Sequence, residues 1–250
     1  MLLLIDIGNT STKIGIYEHG VVKDILRLAT VINTRGMIEY SYILESFVKH
    51  HRGKKPEGAA MCSVVPEVAP MLASAVRKSF GIETMNVTFR ARTGLKFPAG
   101  MGADRIAQAV AARKLYKGDL IVVSFGTATV FSVIAGDGKY KGGAIMPGLD
   151  LCAGALAGGT SKLPRVALRN PVKPLSKETK NNILTGVILG HAGAVERIVA
   201  EIRKDTGGDL RVIATGGLVG LVKQHLKIID IENPHLTFEG LRFIYEMNTS

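Results

Sequence analysis

Three short stretches combine residue types that can grip and move phosphate: "DIGNTSTK" at 6–13, "GADR" at 102–105 and "SFGTAT" at 124–129. Glycine has no Cβ, so Gly8 and Gly126 let backbone N–H groups approach phosphate oxygens. Asn9, Thr10 and Thr127 add side-chain hydrogen bonds, and Lys13 adds a point charge. Asp6, at the end of an apolar run, suits a hydrated Mg²⁺, which keeps several waters and takes only one or two carboxylates. Phosphoryl transfer to a hydroxyl also needs a carboxylate within reach of the attacking oxygen and a cation to steady an acidic acceptor. Asp104 and Arg105, adjacent before an alanine-rich helical stretch, can supply both, although an Asp at that place can equally be an N-cap. Either glycine turn alone could be no more than a turn. Their recurrence at matching points of two strand–turn–strand patterns argues for a paired device, with Ser124 standing where the first copy has Asp6.

The elements that must hold these residues follow the same repetition. Residues 2–7 read as a buried strand, followed by a tight turn, a returning strand "TKIGIYEHG" and a third strand "VVKDILRLAT". "GMIEYSYILESFVKHH" predicts a helix with Ile38, Tyr42, Leu44 and Val48 inward. "GAAMCSVVPE" predicts a buried strand, "VAPMLASAVRKSFG" a helix closed by Gly81, and "TMNVTF" another strand. "RIAQAVAARKLYKG" predicts a helix capped by Asp104, with Ile106, Ala109, Val110 and Ala111 inward. The hairpin pattern restarts at "DLIVVSFGTATVFSVI", and a long helix over "KNNILTGVILGHAGAVERIVAEIRKD", a strand "LRVIATGG" and a terminal helix follow. Two fused α/β halves, 1–117 and 118–250, are the expected domains.

Composition narrows the class. The 46% hydrophobic content with 6% aromatic residues describes a globular chain with an aliphatic core. A formal charge of +11 would favour a polyanion, but the basic residues are scattered and no aromatic-interleaved basic strand or zinc-finger spacing accompanies them, so no nucleic-acid partner is expected. Cys62 and Cys152 read as reduced thiols of a cytoplasmic protein. "MLLLI" is too short for a signal-peptide core, and no unbroken apolar run reaches the ~18 residues of a membrane span, so no membrane partner is expected. GxxxxGK[ST] and GxGxxG are both absent, which argues against P-loop and dinucleotide-binding folds. His191, beside a glycine in a helix, reads as a packing or capping residue rather than a catalyst.

Nine segments taken together resemble the type III pantothenate kinase family: "DIGNTSTK", "CSVVP", "TGL", "GADR", "FGTAT", "GGAIMPGL", "TSKLPRV", "ATGGL" and "PHLTFEGLRFIYEMN", in that order along nearly the whole chain. The resemblance implies a duplicated ribonuclease H-like fold of the actin, Hsp70 and sugar kinase superfamily, with mixed sheets and an interlobe cleft. It implies a cytoplasmic homodimer that phosphorylates pantothenate with ATP and Mg²⁺. By position, Asp6, Ile7, Gly8, Asn9, Thr10, Ser11, Thr12, Lys13, Gly126 and Thr127 would bind ATP, Asp6 reaching Mg²⁺ through water. Asp104 would be the general base, and Gly102, Ala103, Asp104, Arg105 and Thr179 would meet pantothenate. Two departures stand out. The family usually has Asp at position 124, in a monovalent-cation site, and often another at the place of Ser132, so Ser124 leaves the use of K⁺ or NH₄⁺ open. The substrate loop is trimmed to "KFPAGMGADR". A nucleotide-binding accessory paralogue, or a kinase for another small hydroxyl acceptor, are the alternatives these departures suggest.

Overall fold

In the computed structural model, which describes residues 1–32, 36–51 and 54–249, the chain forms two compact units. One is Met1–Leu115 together with His235–Ser250, and the other is Tyr116–Pro234. The first contains β1 (Leu2–Ile7), β2 (Ser11–Glu18), β3 (Val21–Ala29), α1 (Gly36–His50), β4 (Gly58–Ser63), α2 (Val68–Phe80), β5 (Thr84–Asn86) and α3 (Ala103–Leu115). The second contains β6 (Leu120–Phe125), β7 (Ala128–Ile134), β8 (Tyr140–Pro147), α4 (Leu149–Gly158), α5 (Thr179–Thr206), β9 (Arg211–Thr215), α6 (Val219–Val222), a 3₁₀ turn (Lys223–His225) and β10 (Ile231–Glu232). The last helix, α7 (Leu236–Thr249), belongs to the first unit.

The duplication is visible in the sheets. The first has the order β3-β2-β1-β4-β5, and the second, read from the matching edge, β8-β7-β6-β9-β10. In each, an antiparallel three-stranded meander is extended by two parallel strands from its first member. Ser124 therefore does occupy the place of Asp6: Asp6 pairs Cys62 across the parallel neighbour, and Ser124 pairs Thr215.

Successive side chains of a strand point to opposite faces, and β1 is buried on both. Leu3, Ile5 and Ile7 join Ile14, Ile16 and Met61 against α1 and α2. Leu2 and Leu4 join Ala60 and Cys62 against Ile106, Ala107 and Val110 of α3 and Phe238, Leu241 and Ile244 of α7. In the second unit, Ile121, Val123 and Phe125 pack with Phe131 and Val133 against Ile183, Val187, Ile188, Val195 and Val199 of α5. That helix alone among the described residues has the length and mean hydropathy, 1.4, to cross a membrane, yet its apolar face is spent on this core.

Three expectations need correcting. In α1, Ile38 and Tyr42 are 66% and 75% exposed, while Tyr40, Leu44 and Val48 are buried. At 3.6 residues per turn, positions 42 and 44 lie about 200° apart, so the inward stripe runs i, i+4, i+8 from Tyr40 and excludes both. The segment "TMNVTF" is a strand only over Thr84–Asn86. The terminal helix also differs from the expected 118–250 half. Its apolar stripe finishes the first unit's second face, where Gly15 on β2 leaves room for the ring of Phe238.

Candidate functional site

Strand parity brings the first acid to its neighbours. Asp6 shares the α3/α7 face with Leu2 and Leu4, and the register sets Lys13 opposite it on β2 and Cys62 beside it on β4. Lys13 Nζ donates to Asp6 Oδ2 at 3.3 Å, and Cys62 Sγ donates to Asp6 Oδ1 at 3.5 Å. Both carboxylate oxygens are thus held from the side, at the carboxyl ends of β1 and β4.

Asp104 comes to the same place from α3. It is the second residue of the helix, inside the first turn rather than its N-cap as expected, and the helix dipole favours an anion there. The residue before the helix is Gly102, where a Cβ would fall 2.6 Å from Asp104 Oδ1. Burial, then the negative charge of Asp6, raises the Asp104 pKa above the ordinary carboxyl value, while the backbone N–H and the charge of Arg105 oppose this in part. The Cys62 thiol is pushed well up by burial and then by the charges of Asp6 and Asp104. Asp104 therefore feels the charge of Asp6, and the thiol feels both. Gly102→Ala should lower kcat about tenfold by displacing the Asp104 carboxyl, with little change in melting temperature, as steady-state rates and a melt would show.

The first hairpin tip is pinned by a residue the sequence reading passed over. Thr30 Oγ1 donates to the Gly8 carbonyl at 2.7 Å and lies 3.0 Å from Thr12 Oγ1, and its N–H donates to the Thr10 carbonyl at 3.1 Å. Asn9 and Thr10 are exposed at the tip, Gly8, Ser11 and Lys13 are half-buried, and the side chains of Ile7 and Thr12 are in the core. Ile7 and Thr12 can therefore offer a ligand only their main chain.

The second hairpin is clasped differently. Gly148 N–H donates to the Thr127 carbonyl at 3.0 Å, and a Cβ at Gly148 would strike the carbonyls of Gly126 and Thr127. Behind the tip, Thr129 Oγ1 lies 2.9 Å from His191 Nε2, with both residues buried. Burial lowers the His191 pKa and favours the neutral ring, as suits a packing residue. Ser124, Gly126 and Thr127 are half-buried, and Thr179, exposed, opens α5.

Asp6, Lys13, Gly102 and Asp104 are thus gathered on one sheet face of the first unit, with buried Ala103 and half-buried Arg105 alongside. Ser124, Gly126, Thr127 and Thr179 belong to the other unit. Cys62, Thr30 and Gly148 are structural partners of the expected site residues that the sequence reading did not single out. The hydroxyl and thiol of the first two carried no signal without the register. Gly148 sits in the quoted "GGAIMPGL", where a glycine between Pro and Leu already hinted at a close backbone approach.

Among solved structures, the chain resembles a putative Baf family transcriptional activator from Campylobacter jejuni, with a TM-score of 0.62 at 18% identity, over 99% of this chain and 98% of that one. It also resembles a putative 2-dehydro-3-deoxygalactonokinase from Sinorhizobium meliloti, with a TM-score of 0.59 at 13% identity, over 100% and 98%. Likeness at such identities establishes the fold alone, an α/β architecture whose two sheets share one strand order. Sequence relatives are much nearer. A type III pantothenate kinase from Roseiflexus sp. (strain RS-1) is 41% identical over 100% of both chains, and one from Moorella thermoacetica is 39% identical over 100% of both. The family model for type III pantothenate kinase matches residues 2–201. With this match and these full-length identities, the chain belongs to the type III pantothenate kinase family, enzymes that use ATP to phosphorylate pantothenate in coenzyme A biosynthesis.

Proposed function

We propose that this chain transfers the γ-phosphoryl group of ATP to the hydroxyl of pantothenate, giving 4'-phosphopantothenate and ADP, with Asp104 as general base. The observation that carries the assignment of roles is the pairing of Asp104 with Asp6 on one sheet face, each close enough for the charge of Asp6 to raise the Asp104 pKa. An acid whose proton affinity is raised in this way can take the hydroxyl proton as the oxygen bonds to phosphorus and the bond to the ADP oxygen breaks. Backbone N–H groups of residues 6–13, with the side chains of Asn9, Thr10 and Ser11 and the charge of Lys13, hold ATP phosphates, as do Gly126 and Thr127. Gly102, Ala103, Arg105 and Thr179 meet pantothenate.

The donor set fits a hydrated divalent ion: two hard carboxylates near one another, and, among the described residues, no cluster of three His, Cys, Asp or Glu side chains that would strip its waters. Mg²⁺, when bound, would offset charge on the phosphate oxygens, and Asp6 would orient it through water. Ser124, which pairs Val130 and Thr215, brings no charge of its own to the position of the family's monovalent cation. Turnover is therefore expected without K⁺ or NH₄⁺. Exposed Ile145 on β8 and Leu151 and Leu156 on α4 support a homodimer, and the free cysteines support a cytoplasmic setting.

The test is coupled ADP release by the purified protein with Mg-ATP and pantothenate, with and without K⁺ or NH₄⁺. Pantothenate-dependent release in the absence of both cations is the expected result. ATP binding with no pantothenate-dependent release would overturn the proposal.

A further inference from the structure

We propose that Cys62 is a positioning residue for phosphoryl transfer: its buried thiol, in register beside Asp6 on the neighbouring strand, donates to Asp6 Oδ1 and fixes the direction of that carboxylate. The inference rests on the role given to Asp6 above. Among the described residues two side chains hold Asp6, and they differ in freedom. Lys13 reaches Oδ2 with a long side chain that is 25% exposed and can swing toward an incoming phosphate. Cys62 is 1% exposed, packed among Ala60, Ala103 and Ile106, and has one short side-chain torsion. When Lys13 turns to a ligand, the thiol is what keeps the carboxylate in place.

The chemistry of sulfur suits this task. An S–H is a weak donor, so it orients the carboxylate without neutralising it and leaves lone pairs for the water shell of a cation. Removing a group that orients a metal ligand typically costs about 10–100-fold in metal affinity or activity. The duplicated unit carries a parallel case. At the same register, the partner of Ser124 is buried Thr215, so a donor-bearing side chain recurs on the parallel strand even where the acid does not.

The experiment compares Cys62→Ala, Cys62→Val, Cys62→Ser and Asp6→Asn in the full chain, measuring kcat, KM for pantothenate, the Mg²⁺ concentration giving half the maximal rate, and melting temperature. The donor-free variants should lose about tenfold in kcat or need about tenfold more Mg²⁺, with KM for pantothenate unchanged, and Cys62→Ser should return to within about threefold of the parent. Two donor-free variants of different volume are used so that a folding defect in one does not decide the outcome. Equal losses in the Ser, Ala and Val variants would overturn the proposal, since packing would then be the cause. So would parent-like rates and Mg²⁺ requirement in Cys62→Ala beside an inactive Asp6→Asn. A fully active Asp6→Asn would overturn it by a separate route, by removing the role of Asp6 itself.

Discussion

Asp104→Asn should lower kcat with pantothenate by about 10²–10⁴-fold and leave KM for ATP unchanged, because it removes the proposed proton acceptor without altering the hairpins proposed to bind phosphate. The same substitution should raise the melting temperature at neutral pH. Burial, and then the charge of Asp6, raise the Asp104 pKa in the folded state above its unfolded value. A raised carboxyl contributes stability only while it is protonated. That contribution is complete below the unfolded pKa and is lost as pH rises through the folded one, so at neutral pH the ionised form costs stability. The uncharged amide avoids this cost. The gap in melting temperature between variant and parent should close as pH falls below the ordinary carboxyl range. In the parent, kcat/KM should fall on the acid side through a pKa higher than an ordinary carboxyl shows. Asp6→Asn removes the second cause of the shift, and whatever activity it retains should show that limb at lower pH. An Asp104→Asn protein that is inactive but melts lower at neutral pH would mean that the residue serves packing and not proton transfer.

How far such roles can be read from sequence depends on whether the governing contact is local. The two hairpins are local, and both turned out to open sheets of identical strand order. Glycine and hydroxyl residues between apolar runs demand a turn wherever the chain is going. The helix face of α1 was misassigned for a related reason: apolar residues occur on both of its sides, and only the sheet it meets decides that Tyr40 goes in and Tyr42 stays out. Asp104 was singled out from its neighbours, but its depressed acidity was not legible, because Asp6, far away in the chain, is one of its causes. Cys62 and Thr30 are the clearest omissions. Their contacts to Asp6 and Gly8 depend on strand register, which no short-range pattern encodes. The placement of α7 was hidden in the same way, since an amphipathic helix at the chain's end can cover either unit's sheet.

The placement of α7 leads to the second large effect, in which one substitution has opposite signs on two helices. Gly240→Ala in α7 should destabilise the protein by about 2 kcal/mol, or about 4–8 °C in melting temperature, despite alanine's advantage of about 1 kcal/mol inside a helix. A Cβ at Gly240 would overlap the backbone carbonyl of Ala107 in α3, and backbone atoms, unlike a side chain, cannot rotate away. The two helices would have to part. They are otherwise tied by Gln108 Nε2 donating to Thr237 Oγ1 at 3.1 Å, and α7 is tied further by Arg92 N–H donating to Asn248 Oδ1 at 3.1 Å. Gly186→Ala, on the exposed side of α5 where nothing lies within 4 Å of the added carbon, should instead stabilise by up to about 1 kcal/mol. Since α3 carries Asp104 in its first turn, the Gly240 variant should also lose kcat, whereas the Gly186 variant should keep it. Thermal melts and steady-state rates on the two proteins would check this, and equal melting temperatures would mean that α7 does not hold α3 in place. With the expected difference between the two variants, α7 acts on Asp104 through α3, by fixing the helix that carries it.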